Sequence, residues 1–180
     1  IRLNTNLINE NTGISENVTL LPLGATILRQ ETFKYEVQTT SGTIKRFRNF
    51  PSNYVDERNI DVWLPDGYDE KKKYAVLYMH DGQMLFDAST TWNKQAWNVH
   101  TTVTRLMRQG KIAPTIVVGV WNNGKFRHAE YFPEKHLPYL PEQVRGPYVA
   151  RALEGKAQAD NYLRFLVHEL KPAIDQRFAT

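Results

Sequence analysis

The feature that most constrains the fold is an unbroken apolar run at residues 74–79, with the sequence YAVLYM. It follows three lysines at 71–73 and ends abruptly at the polar segment 80–82, His-Asp-Gly. An apolar run of this length without alternation is typical of a strand buried on both faces of a parallel sheet. Ligands of open parallel sheets bind at the carboxyl ends of the strands. The sequence therefore predicts a site that begins at His80.

The polar break after this strand contains Gly82 and Gln83, which we predict to form a tight turn. Glycine lets the backbone turn sharply and brings N–H groups close to whatever lies above the sheet. In an acyl-transfer enzyme, N–H groups at such a turn can bind the negative oxygen that develops on the substrate carbonyl. An ordinary strand-to-helix turn with a permissive glycine explains the same residues. These residues alone leave both interpretations open.

The composition is that of an ordinary globular domain, with 41% hydrophobic and 23% charged residues among 180. No apolar run approaches the roughly 20 residues of a membrane helix, so we expect no membrane partner. The net charge of +4 comes from scattered residues, apart from basic clusters at 45–48 and 71–73. We interpret both clusters as solvated surface and expect no nucleic-acid partner, since no recognition motif accompanies them. The absence of cysteine excludes disulfides and a thiolate nucleophile.

The sequence does not indicate a metal or a nucleotide cofactor. His168-Glu169 lacks the second histidine of an H-E-x-x-H motif. His128 and His136 have no third ligand at a suitable spacing. Neither G-x-G-x-x-G nor the P-loop pattern occurs. We therefore expect no metal site and no cofactor.

The first 50 residues read as a polar arm followed by short strands. Residues 1–17 are rich in Asn, Thr and Glu and show little periodicity, as in an extended arm or loop. Ser41 and Gly42 separate two β-like segments, which we predict to form an antiparallel hairpin. The β-like segments are residues 25–28, 33–39 and 43–47. We divide the chain into this leading part, residues 1–50, and residues 51–180, which together form one incomplete domain.

Residues 51–180 predict a parallel α/β unit. An alternating strand at 59–64 stops at the turn signal Pro65-Asp66-Gly67 and precedes the apolar run. A helix predicted at 96–109 carries its apolar residues on one face, and a second apolar strand follows at 114–120. Strand, helix and strand in close succession predict a parallel crossover. The predicted fold class is therefore α/β.

The last third of the sequence contains a long connection and a final helix. Residues 125–155 carry four prolines and several aromatic residues, so we predict an irregular loop that overhangs the same sheet edge as His80. A helix is predicted at 155–177, with a broad apolar face that includes Leu163 and Val167. Pro172 should kink this helix or mark the start of its last turn.

With both parallel strands placed, the chain resembles the Putative esterase family of α/β-hydrolases. That family includes enterochelin esterases, feruloyl and acetyl-xylan esterases, esterase D-like enzymes and mycolyltransferases. The most specific piece of the resemblance is HDGQ at 80–83 with LFD at 85–87. The residues that carry the rest are 58–65 with Gly67 and Tyr68, 74–79, 118–120, 122–124, Arg127, Glu130, Tyr131 and Pro133.

The resemblance implies an α/β-hydrolase fold, with a mostly parallel sheet and antiparallel leading strands. It also implies a Ser nucleophile on a G-x-S-x-G elbow, followed by an acid and a His. No G-x-S-x-G occurs here, since Gly13-Ile14-Ser15 continues with Glu16 and Asn17. In the family, a helix like that at 155–177 leads to the elbow strand. We therefore expect an N-terminal half truncated before the elbow and inactive alone, whose partner is the missing C-terminal half.

The missing half has a physical corollary for the strand at 74–79. In the family, the strand before the elbow lies against this strand, so its removal leaves an apolar strand with an open edge. An open edge of that kind invites aggregation. We therefore expect that an isolated chain 1–180 is not a well-behaved monomer.

The resemblance also assigns site residues. The Gln83 N–H, after the turn at Gly82, would be the oxyanion donor that this half supplies. The side chains of His80 and Asp81 would hold the loop in shape. Asp87 and Trp92 either line the acyl or alcohol pocket or pack within their loop. The remaining candidates for substrate contact are Asn122, Arg127, Glu130 and Tyr131, with an Arg127–Glu130 ion pair that pins the loop as the alternative.

The resulting hypothesis is a serine carboxylesterase acting on a small-molecule or carbohydrate-linked ester: an acyl-sugar, feruloyl, acetyl or siderophore-type ester. Two alternatives stay open at this point: a non-catalytic binding module on a hydrolase scaffold, and an acyltransferase of the same family. The polar arm before Phe50, without an initiating methionine, favours a secreted or periplasmic protein, and a cytoplasmic one stays open.

Overall fold

The computed structural model describes residue 37 and residues 39–180, together with four short strand segments nearer the amino terminus. These segments are β1 (Leu7–Asn9), β2 (Ile14–Glu16), β3 (Val18–Thr19) and β4 (Leu28–Arg29). β1 pairs with β2 and β3 pairs with β4, both in antiparallel fashion. The predicted strands at 25–28 and 33–39 lie largely outside the described residues, and so does the predicted hairpin. The division into a leading part and an α/β part stays a prediction.

Within the described residues the main sheet has four strands, and its topology confirms the predicted α/β class. The strands are β5 (Thr43–Phe50), β6 (Arg58–Leu64), β7 (Ala75–His80) and β8 (Thr115–Val120). Their order is β5-β6-β8-β7. β6 runs antiparallel to β5 and β8, whereas β7 and β8 are parallel. Helix α1 (Val99–Arg108) connects the parallel pair, so antiparallel strands lead into a parallel crossover as predicted.

The burial of the two parallel strands differs, and this corrects one prediction. All six residues of β8 are buried, because β8 lies between β6 and β7. β7 is the last strand in the order, and Leu77 on it is 40% exposed. The prediction that the apolar run is buried on both faces is therefore wrong for this chain. The sequence of β7 is that of an interior strand, but its position in this sheet is terminal.

A hydrophobic core lies between α1 and the sheet. Trp63 of β6, Val117 of β8 and Val103 of α1 contribute to it, together with Leu85 and Phe86, which follow the turn after β7. The indole N–H of Trp63 donates to the Ser41 carbonyl at 2.8 Å. Burial of such large apolar side chains is the main stabilising term of a small domain. The segment after the candidate turn is thus anchored in the core.

α1 begins at Val99, three residues after the predicted start, and Gly110 follows its end with φ of 65°. On this helix, His100 is buried, and its Nε2 lies 3.1 Å from the Thr40 hydroxyl. Its Nδ1 has no hydrogen-bond partner among the described residues. Burial lowers the pKa of the His100 imidazole below its ordinary value of 6.5. The folded protein therefore holds this histidine neutral.

This gives an expected pH dependence of stability. Because the pKa of His100 is lower in the folded than in the unfolded chain, the unfolded chain binds more protons below about pH 6.5. Stability should fall as the pH drops through that range toward the folded-state pKa, by at most about 1.4 kcal/mol per pH unit. His100→Gln should lose less stability between pH 7 and pH 5, as measured by urea unfolding. An unchanged acid loss in the variant would contradict this assignment.

The chain comprises two compact units: Ile1–Pro51 with Arg58–Trp121, and Ser52–Glu57 with Asn122–Thr180. The second unit is helical. Its helices are α2 (Arg127–Tyr131), α3 (Glu142–Ala152), α4 (Ala159–Arg164) and α5 (Lys171–Arg177), with a π-helical stretch at Phe165–Leu170 and 3₁₀ turns at Gly124–Phe126 and Glu134–Tyr139.

The prediction of an irregular loop at 125–155 is wrong, because the prolines do not break the helices there. Pro133 and Pro141 stand at the N-caps of a 3₁₀ turn and of α3, where the missing proline N–H costs no helical bond. Pro147 lies inside α3. The final helix is confirmed in α4, the π stretch and α5, and Pro172 is in the first turn of α5. Its predicted apolar face is only partly buried, because Leu163 and Val167 are each 55% exposed.

None of the helices within the described part of the chain is both long and apolar enough to cross a membrane.

Candidate active site

The turn after β7 has the position that the sequence predicts. Gly82–Met84 forms a 3₁₀ turn directly after the strand, with Asp81 as its N-cap. Met84 N donates to Asp81 O at 2.8 Å, and Leu85 N donates to Gly82 O at 3.3 Å. Gln83 is the second residue of the turn. The turn therefore stands at the carboxyl end of β7, the edge where parallel sheets bind ligands.

Gly82 is needed in this turn for a different reason from the predicted one. The residue with left-handed backbone is Asp81, with φ of 54°. At Gly82 the constraint is space, because an added Cβ would lie 2.5 Å from the Gly119 carbonyl carbon and 2.6 Å from its oxygen. Gly119 is confined to a lesser degree, since its own Cβ would lie 2.9 Å from the side-chain atom Leu85 Cδ1 and 3.2 Å from Gly82 Cα. The turn thus packs backbone against backbone on β8.

The two residues predicted to shape the loop differ in exposure. Asp81 is buried, whereas His80 is exposed at the end of β7. A buried carboxylate in left-handed conformation is consistent with a role in holding the turn, since Asp tolerates that conformation through local hydrogen bonds. The roles of His80 and Asp81 stay predictions.

The loop that follows the turn is ordered by its own hydrogen bonds. Asp87 Oδ1 accepts from Ser89 N at 2.8 Å and caps the 3₁₀ turn Ala88–Thr90. Trp97 N donates to Met84 O at 2.9 Å, which ties the loop to the candidate turn. The Trp92 side chain is 86% exposed on this loop. Asp87 therefore caps a turn of the loop, and the Trp92 indole is presented to solvent. Whether the two residues line a pocket or only shape the loop stays a prediction.

The remaining predicted site residues belong to the second unit. Asn122 Oδ1 accepts from Gly124 N at 2.8 Å and shapes the turn before α2. The Arg127 guanidinium lies 5.0 Å from the ring centroid of Tyr131, one turn along α2. Glu130 is 2% exposed. The structure thus brings Arg127 and Tyr131 together, and both interpretations of Arg127 and Glu130 stay predictions.

One cluster beside the turn was missed in the sequence. Asp61 on β6 is 1% exposed. It accepts from Arg46 Nε at 2.6 Å and Nη2 at 2.8 Å, and from the indole N–H of Trp121 at 2.9 Å. The interpretation of residues 45–48 as solvated surface is therefore wrong for Arg46, whose side chain is 20% exposed. The available signal was the alternation of this strand, which places Asp61 on the same face as Trp63.

Two cavities of the first unit are lined by residues outside this turn. A cavity of about 330 Å³ in the first unit is lined by Tyr74 and Pro114, the residues directly before β7 and β8, and by Met107 and Arg108. A second, of about 370 Å³, lies along α1 beside Thr40 and Ser41. The first opens at the amino ends of the parallel strands, opposite to the turn. No group of three or more His, Asp or Glu residues suited to a metal ion occurs among the described residues.

Two curated relatives resemble the chain at modest identity. It is 24% identical over 141 residues to the uncharacterized protein YjcH of Bacillus subtilis (strain 168), covering 78% of this chain and 47% of that protein. It is 25% identical over 159 residues to an endo-1,4-beta-xylanase/feruloyl esterase of Xylanibacter ruminicola, covering 84% of this chain and 18% of that protein. The chain therefore spans about half the length of the first relative and less of the second.

Among solved structures, the ferulic acid esterase AmCE1/Fae1A of Anaeromyces mucronatus, in complex with ferulic acid, matches with a TM-score of 0.46 and 21% identity. The match covers 83% of this chain and 47% of that one. The sequence model of the family described as Putative esterase matches residues 52–180, which is most of the chain. That stretch holds β6 to β8 and the turn on Gly119. The chain therefore belongs to the family described as Putative esterase.

Proposed function

We propose that the complete protein carrying this chain is a serine carboxylesterase to which residues 1–180 contribute an oxyanion donor. Membership of the esterase family is the first support. The observation that carries the proposal is the turn at the carboxyl end of β7, where Gly82 is seated on the backbone of Gly119. This close packing of Gly82 on Gly119 fixes the positions of the backbone amides of the turn before substrate binds. Preorganised donors of this type are a large term in acyl-transfer catalysis.

In the proposed reaction, a serine outside these 180 residues attacks the ester carbonyl while a histidine removes its proton. The Gln83 N–H, with a second donor from the residue after the serine, stabilises the negative oxygen of the tetrahedral intermediate. Collapse of the intermediate leaves an acyl-serine and expels the alcohol, which takes the proton held by the histidine. Water then attacks the acyl group and releases the acid.

The proposal places the serine, its acid and its histidine in the part of the protein that follows residue 180. No G-x-S-x-G occurs in the sequence, and the chain covers 47% of the relative YjcH. β7 supports the same arrangement, because it is an apolar strand at the end of the sheet with Leu77 40% exposed. A further strand laid against β7 would cover this side chain and extend the sheet.

The proposed substrates are acyl-sugar, feruloyl, acetyl or siderophore-type esters. The name of the Xylanibacter relative includes feruloyl esterase activity, and this suggests carbohydrate-linked aromatic esters as the first class to test. The exposed Trp92 indole offers a flat apolar surface on which a phenolic or sugar ring could stack. Asn122, Arg127, Glu130 and Tyr131 stay predicted substrate contacts. Secretion or export of the complete protein stays a prediction from the polar leading segment.

The expected result is turnover by the complete protein and none by residues 1–180 alone. Both are assayed with p-nitrophenyl acetate and methyl ferulate, and both are treated with a fluorophosphonate that labels activated serines. The complete protein should hydrolyse at least one ester and carry one label beyond residue 180, and Ser→Ala at the labelled position is the control. Clear turnover by residues 1–180 would overturn the placement of the nucleophile. A complete protein with neither label nor turnover would favour the binding module, and acyl transfer to an added sugar would favour an acyltransferase.

A further inference from the structure

We infer that Asp61, Arg46 and Trp121 are positioning residues that hold the oxyanion turn in place. The inference rests on the proposed function, because it concerns the same turn. None of the three contacts the reacting atoms in the proposed mechanism. They act through the backbone of Gly82.

The three residues are brought together by strand register. Arg46 of β5 is directly opposite Asp61 of β6, and Asp61 is directly opposite Gly119 of β8. Directly opposite residues in neighbouring strands point to the same face of a sheet. Asp61 therefore has the Arg46 side chain on one side and the bare backbone of Gly119 on the other. Gly82 packs on that same backbone.

The Asp61 carboxylate is buried, and both of its oxygens accept hydrogen bonds. It is 1% exposed and accepts two hydrogen bonds from Arg46 and one from Trp121. A buried carboxylate is tolerated only when it is paired and hydrogen-bonded, so its orientation is tightly fixed. The bidentate geometry of the guanidinium fixes it further. The carboxylate is thus a rigid acceptor for the Trp121 indole.

Trp121 is held by two contacts of its indole and one of its backbone. The indole N–H donates to Asp61 Oδ2 at 2.9 Å, and the Arg46 guanidinium carbon lies 4.7 Å from the ring centroid of Trp121. Its backbone N–H donates to the Asn59 carbonyl at 3.1 Å. Trp121 is two residues after Gly119, so both point to the same face of the sheet. The ring is therefore locked at the carboxyl edge, beside the turn.

The indole forms one wall of the seat for Gly82. The position of an added Cβ on Gly82 lies 2.8 Å from Trp121 Cδ1, next to the contacts with Gly119. If the indole rotates, this wall moves, and Gly82 with the adjoining Gln83 amide can follow. In catalysis, a misplacement of about 1 Å can cost about 10²-fold in rate. The charged pair at Asp61 and Arg46 is thus linked to the geometry of the oxyanion donor.

The test compares Trp121→Phe, which removes the indole N–H, with Asp61→Asn, which keeps the side-chain shape but loses the charge. Both are made in the complete protein and assayed with the ester that the parent hydrolyses. Each should lower kcat by about 10-fold to 100-fold with KM within about 2-fold, because the donor acts on the transition state. Arg46→Lys keeps the charge without the bidentate fork and should give a smaller loss.

Asp66→Asn is the matched control. Asp66 also faces an arginine, but its oxygen is 3.7 Å from Arg108 and the two side chains are 60% and 74% exposed. This pair lies at the amino edge of the parallel strands. Its loss should leave both kcat and KM at parental values. Circular dichroism and thermal unfolding establish that each variant is folded at the assay temperature.

A second readout does not depend on activity. In isotope-labelled complete protein, the backbone amide signals of Gly82 and Gln83 should shift in Trp121→Phe and Asp61→Asn but not in Asp66→Asn. If the parent has no esterase activity, the proposed function fails, and these signals alone decide the positioning role. Parental kcat in the folded variants, or unchanged Gly82 and Gln83 signals, would overturn the inference. Should Trp121→Phe fail to fold, Asp61→Asn and Arg46→Lys decide it.

Discussion

Replacing Gly82 with alanine is expected to lower kcat of the complete protein by about 10² to 10³, the usual cost of losing an oxyanion-hole donor. The added Cβ would lie 2.5 Å and 2.6 Å from the carbonyl carbon and oxygen of Gly119. These are backbone atoms of β8, whose residues are all buried, so they cannot move aside. The turn must shift instead and carry the Gln83 amide with it. Initial rates over a range of ester concentrations measure the effect.

Met84→Leu is the control for this prediction. It changes a side chain of the same 3₁₀ turn but nearly conserves volume, so kcat should stay close to the parental value. A Gly82→Ala protein with parental kcat and an unchanged thermal midpoint would show that the turn tolerates a Cβ. The proposed seat on Gly119 would then be wrong.

The second large effect concerns stability. Arg46→Met should lower the free energy of unfolding of the complete protein by about 3 kcal/mol, because it leaves the Asp61 carboxylate buried without its counter-charge. One hydrogen bond, from the Trp121 indole, would remain. Asp61 is 1% exposed, so water can compensate for the lost guanidinium only in part. Urea unfolding, followed by circular dichroism, gives the change.

Two further variants test the cause of this loss. The double variant Arg46→Met with Asp61→Leu should be more stable than Arg46→Met alone, because it removes the stranded charge as well. Arg108→Met breaks the exposed pair with Asp66 and should cost no more than about 1 kcal/mol. A loss below 1 kcal/mol in Arg46→Met would mean that the buried pair contributes no more than a surface one.

The strands could be predicted because their patterns are local. The predicted bounds of β6 and β8 are correct to within one residue, and Gly110 follows the end of α1 as predicted. The burial of β7 could not be predicted in the same way. Its apolar sequence predicts a strand, but the exposure of that strand depends on which strand lies beside it in the sheet. That neighbour is a long-range property of the chain.

The same distinction applies to the candidate site. The turn at Gly82 and Gln83 was predicted from a polar break after an apolar run, a local signal. The steric reason for glycine at position 82 could not be predicted, because Gly119, which confines Gly82, is remote in sequence. Arg46 was placed on the surface because it stands in a basic cluster. Its buried partner, Asp61, is opposite to it only through the register of β5 and β6.

The sequence does not predict the helices at 127–152, because proline is typical of a helix break and four prolines lie between residues 125 and 155. Pro133 and Pro141 instead occupy capping positions, where their fixed φ favours helix initiation. Local sequence could have shown this at Pro141, since Glu142 follows as an acidic first-turn residue.

The contact between Gly82 and Gly119 leaves no side chain in between that could absorb a displacement by changing rotamer. Any displacement of β8 along its neighbouring strands therefore moves the backbone of the turn by a similar distance. Laboratory evolution of the proposed esterase toward new esters should accordingly accept changes in the loop around Trp92 and reject changes in the middle of β6 and β8. Substitutions that change substrate preference would then be confined to the loops around a rigid sheet.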